Sequence, residues 1–126
     1  VLAVIMPLFS NTGGTVGIQA LTVTIRSLGV GEVTPEDTLK ILRKELLAGI
    51  GTALALGITM VLLAMIWTSP AERWVCLVAG LVMATNTLVA VTLGTMLPMG
   101  LKRLKLDPAL VSGPLVTTML DTIGFI

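Results

Sequence analysis

The sequence predicts an all-α fold, namely a polytopic bundle of transmembrane helices that crosses a bilayer four times within this chain. Of its 126 residues, 55% are hydrophobic and only 12% are charged, whereas soluble domains contain about 25% charged residues. The mean hydropathy of +1.02 is too high for a water-soluble protein of this size, because a small domain has too little interior to bury so much apolar surface. These values exclude a soluble enzyme and a disordered segment.

The charged residues separate four long apolar segments. Charges are absent before Arg26, from 46 to 71 and from 74 to 101, and the stretch from 108 to 126 holds a single charge. A helix needs about 20 apolar residues to span the hydrocarbon, whereas strands of a membrane barrel are shorter and alternate in polarity. We therefore predict one membrane domain, residues 1–126, with helical spans at about 1–27, 39–67, 73–101 and 108–126.

The first apolar segment is predicted as a helix that Pro7 and the Gly13-Gly14 pair interrupt. Interrupted helices are tolerated at membrane depth where they contact protein or line a watery cavity. The polar side chains of this segment recur every three to four residues and so share one face: Asn11, Thr15, Gln19 and Thr22. We expect the asparagine, the glutamine and the first threonine to line or support a pore, with hydrogen bonding between helices as the alternative.

Basic residues in the loops predict the orientation in the membrane. Seven of the eight lie between spans one and two or between spans three and four, which places loops 28–45 and 102–107 in the cytoplasm by the positive-inside rule. Loop 68–72 is then external, with Trp67 and Trp74 at interfacial depth. We expect a multi-pass protein of the inner cell membrane.

The second and third spans carry packing signals. The Thr34-Pro35 pair favours a helix start, and Gly49, Ala53 and Gly57 follow at four-residue spacing. Small residues allow helices to approach closely in lipid, so this stripe predicts a packing face rather than chemistry. In span three, Asn86 lies near mid-membrane and either bonds another helix or lines the pore.

The fourth span contains Asp121, the one ionisable residue inside an apolar segment. A carboxylate there costs about 2.5–3.5 kcal/mol on insertion scales, and such residues usually face the bundle interior or a watery path. Thr118, Thr117 and Pro114 precede it by three, four and seven residues and share its helix face. With the exposed backbone at Gly113, this face offers hard oxygen groups, which suit Mg²⁺, Mn²⁺ or Ca²⁺. An interfacial position for the carboxylate is the alternative.

Composition excludes several other chemistries. The chain has no histidine and one cysteine, which removes imidazole bases and thiolate metal clusters. A net charge of +1 gives no bulk attraction to nucleic acid. No base partner is apparent for the serines of the chain, so we predict no catalytic residue and no enzyme activity; they are Ser10, Ser27, Ser69 and Ser112.

The beginning of the chain predicts missing upstream sequence. Val1 is not a start methionine, and the basic region that opens a signal peptide does not precede the first span. We therefore expect this sequence to be a fragment.

Three motifs resemble the MgtE family of magnesium channels and transporters. Its glycine-rich second transmembrane helix is similar to Pro7-x5-Gly13-Gly14-Thr15-x-Gly17-x-Gln19, and Arg26-x-Leu28-x-x-Gly31-Glu32 continues that match. Its last transmembrane helix is similar to Leu106-Asp107-Pro108-Ala109-x-x-Ser112-x-Pro114-x-x-Thr117-Thr118-x-x-Asp121. The resemblance therefore covers nearly the whole chain.

The resemblance implies a homodimer of five-helix membrane domains with an ion path at the two-fold interface, and this chain would supply helices two to five. It implies that Asp121 binds hydrated Mg²⁺ in the pore and that Thr117 lies in the assisting turn. Cytoplasmic regulatory domains outside this chain are also implied. The chain departs from the family pattern at two positions. Members commonly have asparagine where this chain has Thr15, and some members have asparagine where it has Gly113, so the carboxamide groups of those side chains are missing here.

These observations together predict a domain that passes a divalent cation, Mg²⁺ first, along a dimer-axis pore into the cell. The predicted metal site consists of Asp121, Thr117 and Thr118. The predicted pore-lining or supporting residues are Asn11, Thr15, Gln19, Asn86, Gly113 and Pro114.

Two other functions stay open from the sequence. A proton- or sodium-coupled secondary transporter would use Asp121 as its ion carrier and the first span as its substrate site. A non-transporting membrane assembly subunit would have the small-residue stripe of span two as its purpose.

Overall fold

The computed structural model describes residues 2–110 and 113–124, which form four α-helices. They are α1 (Leu2–Gly29), α2 (Thr38–Trp67), α3 (Arg73–Arg103) and α4 (Gly113–Gly124). Short 3-10 helices precede the last three at Pro35–Asp37, Pro70–Glu72 and Pro108–Leu110. No strand occurs among the residues described, so the predicted all-α fold is confirmed. Val1 and the motif residue Ser112 lie outside the described residues.

Helix α1 is continuous through the positions where the sequence predicts an interruption. Pro7 and the Gly13-Gly14 pair lie inside one helix of 28 residues, so the prediction of a broken helix is wrong. A proline in a helix removes one hydrogen bond, here to the carbonyl of Ala3 in the first turn. The two glycines face neighbouring helices, as described below, and close packing overrides their low helix propensity.

Helix α3 is the centre of the bundle. It packs against α2 along one side and against α1 along another, and α4 packs mainly against α1. The helices therefore follow the spatial order α2, α3, α1, α4. One buried cluster joins α1, α3 and α4 and consists of Val16, Leu21, Ala90, Val91, Val116 and Leu120. A second joins α1, α2 and α3 and consists of Ile5, Phe9, Met60, Ala79 and Met83.

Small residues form the contact between α2 and α3. Gly49, Ala53 and Gly57 are buried there. A Cβ atom added to Gly57 would lie 3.0 Å from the carbonyl oxygen of Gly80, so the two backbones are almost in contact at this point. The packing face predicted from the four-residue spacing is confirmed.

Two helical segments are long and apolar enough to cross a bilayer by length and composition, Pro35–Trp67 and Pro70–Arg103. Large apolar side chains on the outer faces of α2 and α3 are exposed, which suits contact with lipid chains; examples are Leu47, Leu54, Ile58, Leu62, Leu77 and Leu81. Helix α1 has sufficient length with 28 residues, whereas the 12 described residues of α4 extend about 18 Å. The crossing of the membrane by α1 and α4 stays a prediction.

The contact of α3 with α1 at Gly94 can be tested by substitution. A Cβ at this position would lie 2.4 Å from the carbonyl oxygen of Gly17 and 2.8 Å from the Cβ of Ala20. Gly94→Ala must therefore push two helices apart, and we expect a loss of about 1–3 kcal/mol in the free energy of unfolding. The measurement is the Tm of the purified protein in detergent.

The matched control is Gly51→Ala on α2, because a Cβ there meets no other atom within 4 Å. We expect this variant to keep the wild-type Tm or to raise it slightly, since alanine favours helix more than glycine does. Equal Tm values for the two variants would contradict the close packing at Gly94.

Candidate functional site

An open groove of about 590 Å³ lies between α1 and α4. Its lining residues are Ala3, Met6, Pro7, Ser10, Asn11, Gly14, Thr15, Ile18, Thr117 and Asp121. Four of the nine predicted site residues are among them: Asn11, Thr15, Thr117 and Asp121. The fold therefore brings together polar groups from the two ends of the chain.

Glycines of α1 allow α4 to approach. A Cβ on Gly14 would lie 3.4 Å from Cγ2 of Thr117, and a Cβ on Gly17 would lie 2.4 Å from Cδ1 of Leu120. Leu120 is buried in this contact, so α4 is held with one face directly on the glycine face of α1. Asp121 is the next residue in the sequence and lies half-buried at the edge of the contact, where the groove opens.

The carboxylate of Asp121 is held across the two helices. Its Oδ1 accepts a hydrogen bond from the hydroxyl of Ser10 on α1. A carboxylate has about four lone-pair positions, so this bond leaves most of the acceptor capacity directed elsewhere. Asp121 is the one charged residue among the described residues that line the groove, which makes the groove negative.

Ser10 is a groove residue that the sequence does not predict. As a nucleophile it would need a base, and the sequence offers none, so its role as a donor to Asp121 emerges only in the fold. Its position three residues after Pro7 and four before Gly14 was a usable signal, since these three residues share a helix face and all of them line the groove.

Threonine hydroxyls in the groove act as acceptors. Thr15 donates to the carbonyl oxygen of Asn11, and Thr117 donates to that of Gly113, each at 2.8 Å. Because a hydroxyl has one hydrogen, each of these oxygens then presents only lone pairs to the groove. Together with the carboxylate of Asp121, they favour a guest that is positively charged or that donates hydrogen bonds.

Four other predicted site residues lie outside the groove lining. Thr118 is exposed and donates to the carbonyl oxygen of Pro114 at 2.8 Å. Pro114 is also exposed, and Gly113 packs towards Ile18. Gln19 lies exposed on α1, beyond the rim of the groove.

Asn86 joins α3 to α1 away from the groove. It is 7% exposed, and its Nδ2 donates to the carbonyl oxygen of Phe9 at 3.0 Å. A Cβ on Gly13 would lie 2.6 Å from this Nδ2, so the glycine makes room for the amide. Of the two roles considered for Asn86, the geometry favours the bond between helices, which supports the groove from behind.

Replacing Asn86 tests this supporting role. Asn86→Ala removes the bond to Phe9, and we expect a loss of about 0.6–1.7 kcal/mol, the usual range for hydrogen bonds between membrane helices. The measurement is the Tm in detergent. The control is Thr85→Ala, because Thr85 is exposed and bonds only within its own helix, to Leu81 at 2.9 Å. If the two variants lower Tm equally, the bond between helices contributes nothing.

Comparison with known proteins finds clear relatives. The sequence model of the MgtE family, described as a divalent cation transporter, matches residues 6–126. The chain is 34% identical over 125 residues to the magnesium transporter MgtE of Thermus thermophilus. It is 30% identical over 129 residues to the magnesium transporter MgtE of Bacillus subtilis and 31% identical over 121 residues to that of Enterococcus faecalis.

The matches differ in how much of each protein they cover. The matches to the Thermus and Bacillus proteins each cover 99% of this chain and 27% of the relative. The match to the Enterococcus protein covers 96% of this chain and 26% of the relative. The chain therefore spans about a quarter of the length of the curated relatives it matches.

Proposed function

The chain belongs to the MgtE family of divalent cation transporters, and we propose that it forms the part of a transporter through which hydrated Mg²⁺ passes into the cell. The family resemblance seen in the sequence motifs is thereby confirmed, and the family is one of membrane transporters rather than enzymes. The groove between α1 and α4 carries the proposal, because it gathers the oxygens of Asp121, Asn11 and Thr117. Oxygen ligands of this kind are the ones that Mg²⁺ prefers.

Charge selects the ion in this proposal. Coulomb attraction scales with the charge of the ion, so a divalent cation gains about twice what Na⁺ gains beside Asp121. A membrane potential that is negative inside adds about 4.6 kcal/mol per 100 mV for an ion of charge two that enters the cell. Passive flow down this gradient needs no further energy source.

Hydration distinguishes Mg²⁺ from softer cations. Mg²⁺ loses water reluctantly and is usually held by one or two carboxylates with several waters retained. One carboxylate in the groove fits this habit. The retained waters would donate to Asp121 and to the hydroxyl oxygens of Thr15 and Thr117, whose own hydrogens are used within their helices. Mn²⁺ and Ca²⁺ are the alternative ions for the same oxygen groups.

A second copy of the chain would complete the path. Asn11 and Thr15 are exposed on α1, and polar groups that face lipid are unfavourable. A homodimer with the two grooves face to face would cover these groups and place two Asp121 carboxylates beside one ion. In the same proposal, the chain crosses the membrane four times with loops 28–45 and 102–107 in the cytoplasm. The full-length protein carries regulatory domains outside this chain.

Substitution of Asp121 tests the proposal directly. In proteoliposomes that contain the full-length protein, we expect Asp121→Asn and Asp121→Ala to lower Mg²⁺ uptake by at least about tenfold, because removing a charge that binds the ion costs well over 1.4 kcal/mol. The control is Asp107→Asn, which neutralises an exposed aspartate whose carboxylate bonds the backbone amide of Ala109 at 2.9 Å. We expect this control to keep the wild-type uptake.

Unchanged uptake in both Asp121 variants would remove this residue from the ion path. Uptake that requires a proton or sodium gradient and persists without divalent cations would favour a coupled secondary transporter. Proteoliposomes that pass no ion at all would favour an assembly subunit.

Competition between ions tests the selectivity. We expect unlabelled Mg²⁺ to compete best for uptake of labelled Mg²⁺, Mn²⁺ and Ca²⁺ to compete less well, and Na⁺ at equal concentration to have almost no effect, since its attraction to the groove is about half as strong. Competition by Na⁺ as strong as that by the divalent ions would contradict selection by charge. Stronger competition by Ca²⁺ than by Mg²⁺ would contradict Mg²⁺ as the natural ion.

A further inference from the structure

We propose that Ser10 is a positioning residue, which holds the carboxylate of Asp121 in the orientation that receives the cation. This inference rests on the proposed function and assigns a role to a residue that the proposal does not need. Its basis is the hydrogen bond from the Ser10 hydroxyl to Oδ1 of Asp121, which joins α1 to α4 across 111 positions of the sequence.

The Ser10 hydroxyl bonds another helix, in contrast to three threonine hydroxyls of α1. On α1, the hydroxyls of Thr15, Thr22 and Thr24 donate to the carbonyl four residues earlier, at 2.7–2.8 Å. A helical serine has the same option, which for Ser10 is the carbonyl of Met6. Ser10 donates to another helix instead, so its bond is specific to the carboxylate that faces it.

The position of Asp121 explains why such a bond matters. Asp121 is only half-buried, at the edge of the contact between α1 and α4. Packing alone therefore leaves its side chain free to adopt several rotamers. A bond to the opposite helix selects one rotamer before the cation arrives, and this removes an ordering cost from binding.

The bond also sets which atoms face the groove. Oδ1 uses one lone-pair position for Ser10, whereas Oδ2 and the remaining positions stay available for waters of the cation. The Ser10 hydroxyl donates its hydrogen bond to the carboxylate. Its oxygen keeps two lone pairs and so adds an acceptor to the groove. An alanine at this position would remove both effects without adding bulk.

The first test compares two serine variants of the full-length protein in proteoliposomes. We expect Ser10→Ala to raise the KM for Mg²⁺ about tenfold, because a hydrogen bond to a charged group contributes at least that factor, while the maximal flux changes less than twofold. Ser27→Ala makes the same change on the same helix, outside the groove lining, and we expect it to leave KM unchanged.

The second test asks whether Ser10 acts through Asp121. Asp121→Glu keeps the charge but moves the carboxylate by one methylene, out of register with Ser10. In this background we expect Ser10→Ala to change KM less than twofold. The non-additivity of the two substitutions is the signature of residues that act through one contact.

Three results would overturn the inference. The first is a KM for Ser10→Ala within twofold of the wild-type KM. The second is an equal rise in KM when Ser10→Ala is made in the wild type and in Asp121→Glu. The third is a Ser10→Ala variant with lower Tm and lower maximal flux at unchanged KM, which would indicate a structural role. Each of these leaves the role of Asp121 intact, whereas unchanged uptake by Asp121→Asn overturns the proposed function itself.

Discussion

The groove depends on how closely the backbone of α1 approaches its two neighbours at Gly17. On one side, a Cβ on Gly94 of α3 would lie 2.4 Å from the Gly17 carbonyl oxygen; on the other, a Cβ on Gly17 would lie 2.4 Å from Leu120 of α4. Lipid chains give no hydrophobic force between membrane helices, so van der Waals contact of this kind holds them together along with hydrogen bonds between helices. The register that it sets places Asp121 opposite Ser10.

Polar groups are satisfied differently in the threonine side chains and in the carboxylate of Asp121. In a bilayer, polar groups without a partner are costly, and most threonines in the described helices avoid the cost by bonding the carbonyl four residues earlier, as Thr87 and Thr92 do. A carboxylate cannot donate, and Asp121 accepts one hydrogen bond from within the protein, from Ser10. Water or a cation must satisfy its remaining acceptor positions, and the open groove supplies that access.

The sequence predicted the helices better than the contacts between them. Uninterrupted apolar segments were sufficient to predict α2 and α3, whereas Pro7 and Gly13 suggested a break in α1 because local propensity contains no information on the helix that packs there. The same limit applies to the site. Viewed down the helix, Ser10 lies about 100° to one side of Asn11 and Gln19 about 80° to the other. The groove extends from Asn11 to the side of Ser10 and therefore leaves Gln19 beyond its rim. Ser10 was missed because its partner is set by tertiary register.

Under the proposed function, the size of the groove allows the ion to keep its waters. Mg²⁺ coordinates six ligands in a near-octahedral shell, and six waters occupy about 180 Å³ at about 30 Å³ each. The open groove of about 590 Å³ therefore has room for the ion together with its waters. A site that never strips the ion needs only one carboxylate and a set of acceptors such as Thr117.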